Sequence, residues 1–354
     1  MRLTFAYADY HESVNTSQWR CFIPAAGLKR AGHEVQLVTV AELVAAGGQG
    51  LPPEKHWDAL VIERELFPCL ETIPKWQHAG VPVIANFDDA YHLMPHNVST
   101  AKVWRMGKVE GKKQKLMQQF KKALRMCDAF ITPSNVLTAD YLTINPRGRT
   151  VKNYPDLTWD CWKAPRREPD GKVRMVWGGS WTHYDSWSRS GIVPAIRRIL
   201  ADHPESSLTL VGGDLRISSL FSGLGPGRVI HKDRVPFKEW PALLAQYDIG
   251  LAPLHGEYDR RRSWIKVLEY CLMGLWPIAS PMEPYEGLPC STPKKDRAID
   301  WYNAIDGAVT HLPQYGDRGL RESAWSWAAE QGIDDHISEY ISVLEEAIEH
   351  RQRL

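Results

Sequence analysis

Within residues 260–269 stand Arg260, Arg261, Arg262, Ser263, Lys266 and Glu269, a dense group of chemically capable side chains. They follow a short apolar run, 248–254, that contains Pro253. They overlap apolar positions Ile265, Leu268 and Leu272, spaced by three and four, with Gly274 beyond. The pattern predicts a strand, a charged loop, an amphipathic helix capped by Ser263 and stopped by Gly274, and then a second strand. Cations and the free N–H groups of a helix start would thus meet at the carboxyl end of a strand, which suits a phosphate or diphosphate. Glu269, one turn further on, offers a carboxylate that accepts both hydroxyls of a ribose.

A second group follows the run VPVIAN: Asp88 and Asp89, with His92 and His96 in the same loop. A strand end is where an α/β sheet presents residues to a ligand. Burial of one carboxyl beside the other raises its pKa and suits it to proton transfer near neutrality. The alternative is a helix or loop cap for the aspartates and an ordinary surface position for each histidine.

The elements that position these groups read as alternating strands and helices. Runs at 3–6, 34–40, 59–62, 81–85 and 129–132 are strand candidates, with a helix over 20–30 ending at Gly32. Residues 154–170, rich in Pro, Trp and charge, read as a linker. A second series follows with strands at 173–177, 208–211, 249–252 and 277–279, and the chain is helical from Arg318 to its end. The reading is α/β, with parallel doubly wound sheets.

Together the Arg-Ser-x-x-Lys-x-x-Glu segment, Asp88-Asp89, the stretch ITPSNVLTADYL, the loop GGSWTHYD from Gly178 and the run LTLVGG ending at Gly213 resemble family four glycosyltransferases. Those enzymes have the GT-B fold, two Rossmann-like domains with a sugar nucleotide between them. Most of the chain is covered. One departure is clear: the family commonly has a Glu eight residues before the ribose Glu, and Arg261 stands there.

The resemblance implies an acceptor-binding domain over 1–155, a sugar-nucleotide domain over 156–330, and a last helix, 331–354, that crosses back to the first domain. It assigns donor contacts to Gly179, Ser180, His183, Gly212, Val235, Phe237, Arg262, Ser263, Lys266 and Glu269. Arg262 and Lys266 would stabilise the leaving diphosphate, and Asp88 and Asp89 would meet the acceptor hydroxyl or donor sugar. Packing alone is the alternative for the Gly pair and for Val235 and Phe237. Arg20 matches an Arg after the first strand in related sequences, with a helix-surface cation as the other reading. Retention at the anomeric carbon is implied as well. The spacing Asn86-Phe87-Asp88-Asp89 is not a metal-binding DxD, so a metal-independent reaction with no tightly bound cofactor is expected.

The chain of 354 residues is long enough for two domains. Its formal net charge of +1 leaves any attraction to a polyanion to a local patch. Six scattered cysteines without a Cys-x-x-Cys read as reduced thiols of a cytoplasmic protein. No apolar run is long enough for a transmembrane segment, and the first residues lack the apolar stretch of a signal peptide.

The local patch lies over 102–125, with Lys102, Arg105, Lys108, Lys112, Lys113, Lys115, Lys121, Lys122 and Arg125 against Glu110. Val109, Leu116, Phe120 and Leu124 predict a helical apolar stripe beneath those charges. A solvated face is the plain reading. The functional one is an anionic acceptor docked by Lys108, Lys112, Lys113 and Lys115, with Arg20, His92 and Trp104 beside it. Hydroxylated bases in duplex DNA fit, with Trp104, Tyr91 or His92 stacking on or replacing an extruded base. A lipid-linked or polysaccharide acceptor reached by peripheral membrane contact fits as well. The rival of another class is a non-catalytic protein that binds a sugar nucleotide or polyanion.

Overall fold

A computed structural model of the chain describes residues 1–8, 15–46, 57–95, 104, 108–109, 112–113, 116–213, 215–315 and 318–354. It divides into two units, each built on its own parallel sheet. Unit 1 comprises Met1–Asp156, Arg261–Ser263 and Gln331–Leu354; unit 2 comprises Leu157–Arg260 and Trp264–Glu330.

In unit 1 the strands are β1 (Arg2–Tyr7), β2 (Glu34–Thr39), β3 (Ala59–Glu63), β4 (Val83–Asn86), β5 (Ala129–Thr132) and β6 (Gly148–Thr150). Their order is β2-β1-β3-β4-β5-β6, all parallel. β3, β4 and β5 are buried along their whole length, the signature of strands covered on both faces. The order reverses between β1 and β3, where a ligand crevice forms at the carboxyl ends of such a sheet. The helix Ile23–Arg30 packs on the terminal helix Ile333–Gln352, whose Ile333 N–H donates to the Pro155 carbonyl at 2.8 Å. Arg30 pairs with both Asp156 and Asp334, at 2.9 and 2.8 Å.

Unit 2 holds β7 (Val173–Gly179), β8 (Ser206–Gly212), β9 (Val229–Lys232), β10 (Ile249–Ala252) and β11 (Trp276–Ala279), ordered β9-β8-β7-β10-β11 and parallel throughout. Its reversal falls between β7 and β10. The helices Ile192–Asp202 and Ala298–Tyr315 pack together around a core that includes Trp177, Trp187, Ile196, Leu210 and Trp301.

The predicted helix beneath the basic segment is corrected at its start. Lys108–Val109 pairs antiparallel with Lys112–Lys113, and the helix begins at Leu116. Leu116, Phe120 and Leu124 do form its buried stripe, while Val109 belongs to the hairpin.

Candidate functional site

The candidate site of unit 2 is built where its sheet reverses. The helix Ile265–Leu272, between β10 and β11, is fixed to the sheet by Tyr270. That ring lies on Gly250, where an added Cβ would stand 2.3 Å from it, and its hydroxyl donates to the Leu251 carbonyl at 3.0 Å. Lys266 and Glu269, three apart, share one face of this helix.

Lys266 Nζ donates to the Gly178 carbonyl at the end of β7 and sits 5.4 Å from the centroid of the Trp177 ring. Glu269 is only 4% exposed; its Oε2 accepts from Trp240 Nε1 at 2.9 Å. Its Oε1 is buried with no hydrogen-bond partner among the described residues. Burial raises this carboxyl to about 7, although the Trp240 N–H and the Lys266 charge both pull it down. A buried, half-satisfied carboxylate is a costly arrangement, and it suits a ligand that brings hydroxyl donors.

The glycines here answer to two indoles. A Cβ on Gly178 would come within 2.4 Å of the Trp240 ring, and one on Gly179 within 2.4 Å of Trp177. Gly212 and Gly213, at the end of β8, turn with φ of +65° and +77°. Ser180 Oγ bonds to Thr182 Oγ1 at 2.8 Å. His183 is buried edge-on against Trp177, with Nδ1 3.4 Å from Ser186 Oγ, which donates to the buried Asp259 at 2.6 Å. His183 therefore braces the loop from inside. Phe237 is buried too, edge-on to Trp159 and Trp162 at 6.0 and 6.4 Å, whereas Val235 is half-buried.

The arginine run is divided. Arg260 pairs with Glu257 and Glu283 in unit 2, at 3.2 and 2.8 Å. Arg261 meets Asp140 in unit 1 through two bonds, of 2.8 and 3.1 Å. Arg262 is half-buried. Trp264 holds the cap position of the helix without a side-chain bond, and Ser263 Oγ accepts from Asn153 Nδ2 at 3.0 Å.

In unit 1, Asp88 and Asp89 follow β4. Asp88 Oδ1 is buried and has no hydrogen-bond partner among the described residues. Burial first, and the Asp89 charge second, raise its carboxyl to about 7 against the pull of Arg64 and Arg20. Arg64 follows β3 at the reversal of the sheet with φ of 53°, in the left-handed region that a side chain rarely enters and that clusters at functional sites. Glu63, fully buried before it, accepts from Ala8 N at 2.9 Å and Ser17 Oγ at 2.6 Å.

Several acceptor candidates sit elsewhere than expected. Arg20 is fully buried and donates to Asn86, Asn153 and the Val151 carbonyl, so it ties β4 to the segment after β6 instead of facing solvent. Trp104 and Tyr91 are buried and stacked on each other at 4.2 Å, within an aromatic cluster with Phe87, Phe120 and Tyr141. Their faces are thus occupied and cannot take an extruded base. His92 bonds Tyr141 Oη at 3.0 Å and pairs with Asp140 at 3.2 Å. His96, Lys102, Arg105 and Lys115 lie outside the described residues, as do the side chains of Lys108, Lys112 and Lys113. On the following helix, Lys122 and Arg125 are exposed.

Sequence spacing gave no sign of Trp240, Arg64 or Asp140 in these roles. Trp240 and Asp140 meet partners far along the chain, and the positive φ of Arg64 has no glycine to announce it. Among the described residues, no cluster of three or more His, Cys, Asp or Glu side chains is placed to hold a metal ion. All six cysteines are free thiols, and no described helix is long and apolar enough to cross a membrane.

The fold is similar to that of several solved proteins. Anabaena HepE, in complex with UDP and glucose, matches with a TM-score of 0.64 at 13% identity, over 97% of this chain and 99% of that one. The catalytic domain of starch synthase IV from Arabidopsis thaliana, bound to ADP and acarbose, matches at 0.61 and 8% identity, over 98% and 99%. A UDP-forming α,α-trehalose-phosphate synthase from Burkholderia xenovorans matches at 0.58 and 14% identity, over 90% and 78%. No protein-family model and no curated protein matches the sequence. These likenesses establish the fold as that of the GT-B glycosyltransferases.

Proposed function

We propose that the chain is a glycosyltransferase that moves a sugar from a nucleotide-diphosphate donor to a hydroxyl of an anionic acceptor. The observation that carries this reading is Glu269, a buried carboxylate with one oxygen unpartnered among the described residues, one helical turn from Lys266 at the reversal point of a parallel sheet. Glu269 accepts the ribose hydroxyls, Lys266 and Arg262 stabilise the departing diphosphate, and the glycines at the ends of β7 and β8 admit the donor closely. Similar folds solved with UDP and glucose or with ADP support a sugar nucleotide as donor. Asp88 serves as the base for the acceptor hydroxyl, or as a contact to the donor sugar if the anomeric configuration is retained.

For the acceptor, the basic segment favours a polyanion, and DNA bearing a hydroxylated base is the case to test. The burial of Trp104 and Tyr91 removes stacking from that reading and leaves phosphate contact as its support. Mass spectrometry of hydroxymethylated and unmodified duplexes, and of lipid extracts, after incubation with a panel of sugar nucleotides decides the matter. Added hexose or pentose mass on the hydroxymethylated duplex alone supports the proposal. Mass added only to lipid moves the acceptor to a membrane surface, and binding without hydrolysis or transfer of any donor makes the chain a non-catalytic binder.

A further inference from the structure

We propose that Trp240 is a positioning residue for the donor, holding the Glu269 carboxylate and the Gly178 backbone in one fixed arrangement. The inference rests on the donor reading above. Three segments distant in sequence meet at this indole. Its N–H donates to Glu269 Oε2 at 2.9 Å, which fixes the carboxylate and sets the direction in which Oε1, without a partner among the described residues, is offered. The far edge of the same ring lies against Gly178, so that a Cβ there would be 2.4 Å away. Gly178 in turn accepts from Lys266 through its carbonyl, closing a circuit of Glu269, Trp240, Gly178 and Lys266.

Packing alone does not account for this. Trp177 and Trp187 bury their indole N–H groups without a hydrogen-bond partner among the described residues, and the half-buried Trp240 directs its own to a carboxylate. The indole is itself held by the turn before it. Phe237 is locked between Trp159 and Trp162, and Trp240 N donates to the Pro236 carbonyl at 3.2 Å. The groups that act on Glu269 are Trp240 and, on its own helix, Lys266; the neighbouring Tyr270 is fully buried with its hydroxyl on Leu251. Trp240 favours the charged carboxylate, the form that accepts ribose hydroxyls, so its N–H and donor affinity are linked.

The test is Trp240→Phe, which keeps a ring and removes the N–H, beside Trp240→His, which keeps a ring N–H. UDP and ADP are titrated into each from about pH 6 to about pH 9, around the perturbed carboxyl. Losing this charged hydrogen bond weakens nucleotide binding roughly tenfold in Trp240→Phe. It also moves the midpoint of the rise in affinity with pH upward, because the charged carboxylate has lost a donor. Trp240→His recovers part of both effects. Unchanged affinity and midpoint in Trp240→Phe would overturn the inference, as would loss of the fold in that variant, since packing would then explain the indole. Glu269→Ala separates the two claims: if it binds nucleotide like the wild type, the donor reading itself fails. If Glu269→Ala is weakened and Trp240→Phe is not, the positioning role alone fails.

Discussion

Lys266 donates to the carbonyl oxygen of Gly178, joining the helix after β10 to the end of β7 across the reversal point of the unit 2 sheet. A cation held on backbone in this way is already oriented before any ligand arrives, and preorganised charge is the form most effective for a leaving diphosphate.

Lys266→Ala and Arg262→Ala are each expected to lower kcat more than they weaken nucleotide binding, because negative charge on the diphosphate grows toward the transition state. Removing one such donor costs roughly a hundredfold in turnover. The cations then serve in place of a divalent ion, so a chelator leaves the rate unchanged. Abolition by chelator with rescue by magnesium or manganese would contradict the assignment.

Asp88 gives the proposal its pH dependence. Its carboxyl is raised to about 7 by burial and by Asp89, and a base acts only when deprotonated, so kcat rises with pH through that region. Asp88→Asn abolishes the limb and leaves nucleotide affinity unchanged. Asp89→Asn removes a neighbouring negative charge and shifts the limb to lower pH. pH–rate profiles of both variants check this, and unaltered profiles reduce the pair to a loop cap.

The basic segment is tested by reversing Lys112, Lys113 and Lys115 to Glu. The acceptor KM is expected to rise while donor hydrolysis is spared. Binding of duplex DNA should also fall linearly in a plot of log affinity against log salt, with a shallower slope in the variant. Unmodified duplex competes with the hydroxymethylated one, since it shares the phosphates. A variant that retains full activity and the same salt slope leaves those lysines as a solvated face.

How far the fold was legible varied by element. β3, β4, β5 and β10 are buried throughout and read as uninterrupted apolar runs between turns. The edge strands β6 and β9 escaped, since Gly148–Thr150 is short and polar and Val229–Lys232 is mostly exposed. Lys266 and Glu269 stood out because helical spacing is local. The partner of Ser263 was not legible for the opposite reason: its hydroxyl pairs with Asn153, more than a hundred positions away. Arg261 likewise meets Asp140 only through the fold.

The most direct measurement is calorimetric titration of UDP and ADP into the wild type and into Glu269→Ala, with circular dichroism to confirm that the variant is folded. Loss of a charged hydrogen-bonding partner costs about 1.5 to 3 kcal/mol, so Glu269→Ala is expected to bind roughly ten- to a hundredfold more weakly. Equal affinity in the folded variant, or no nucleoside diphosphate bound by the wild type, would contradict a donor site at Glu269.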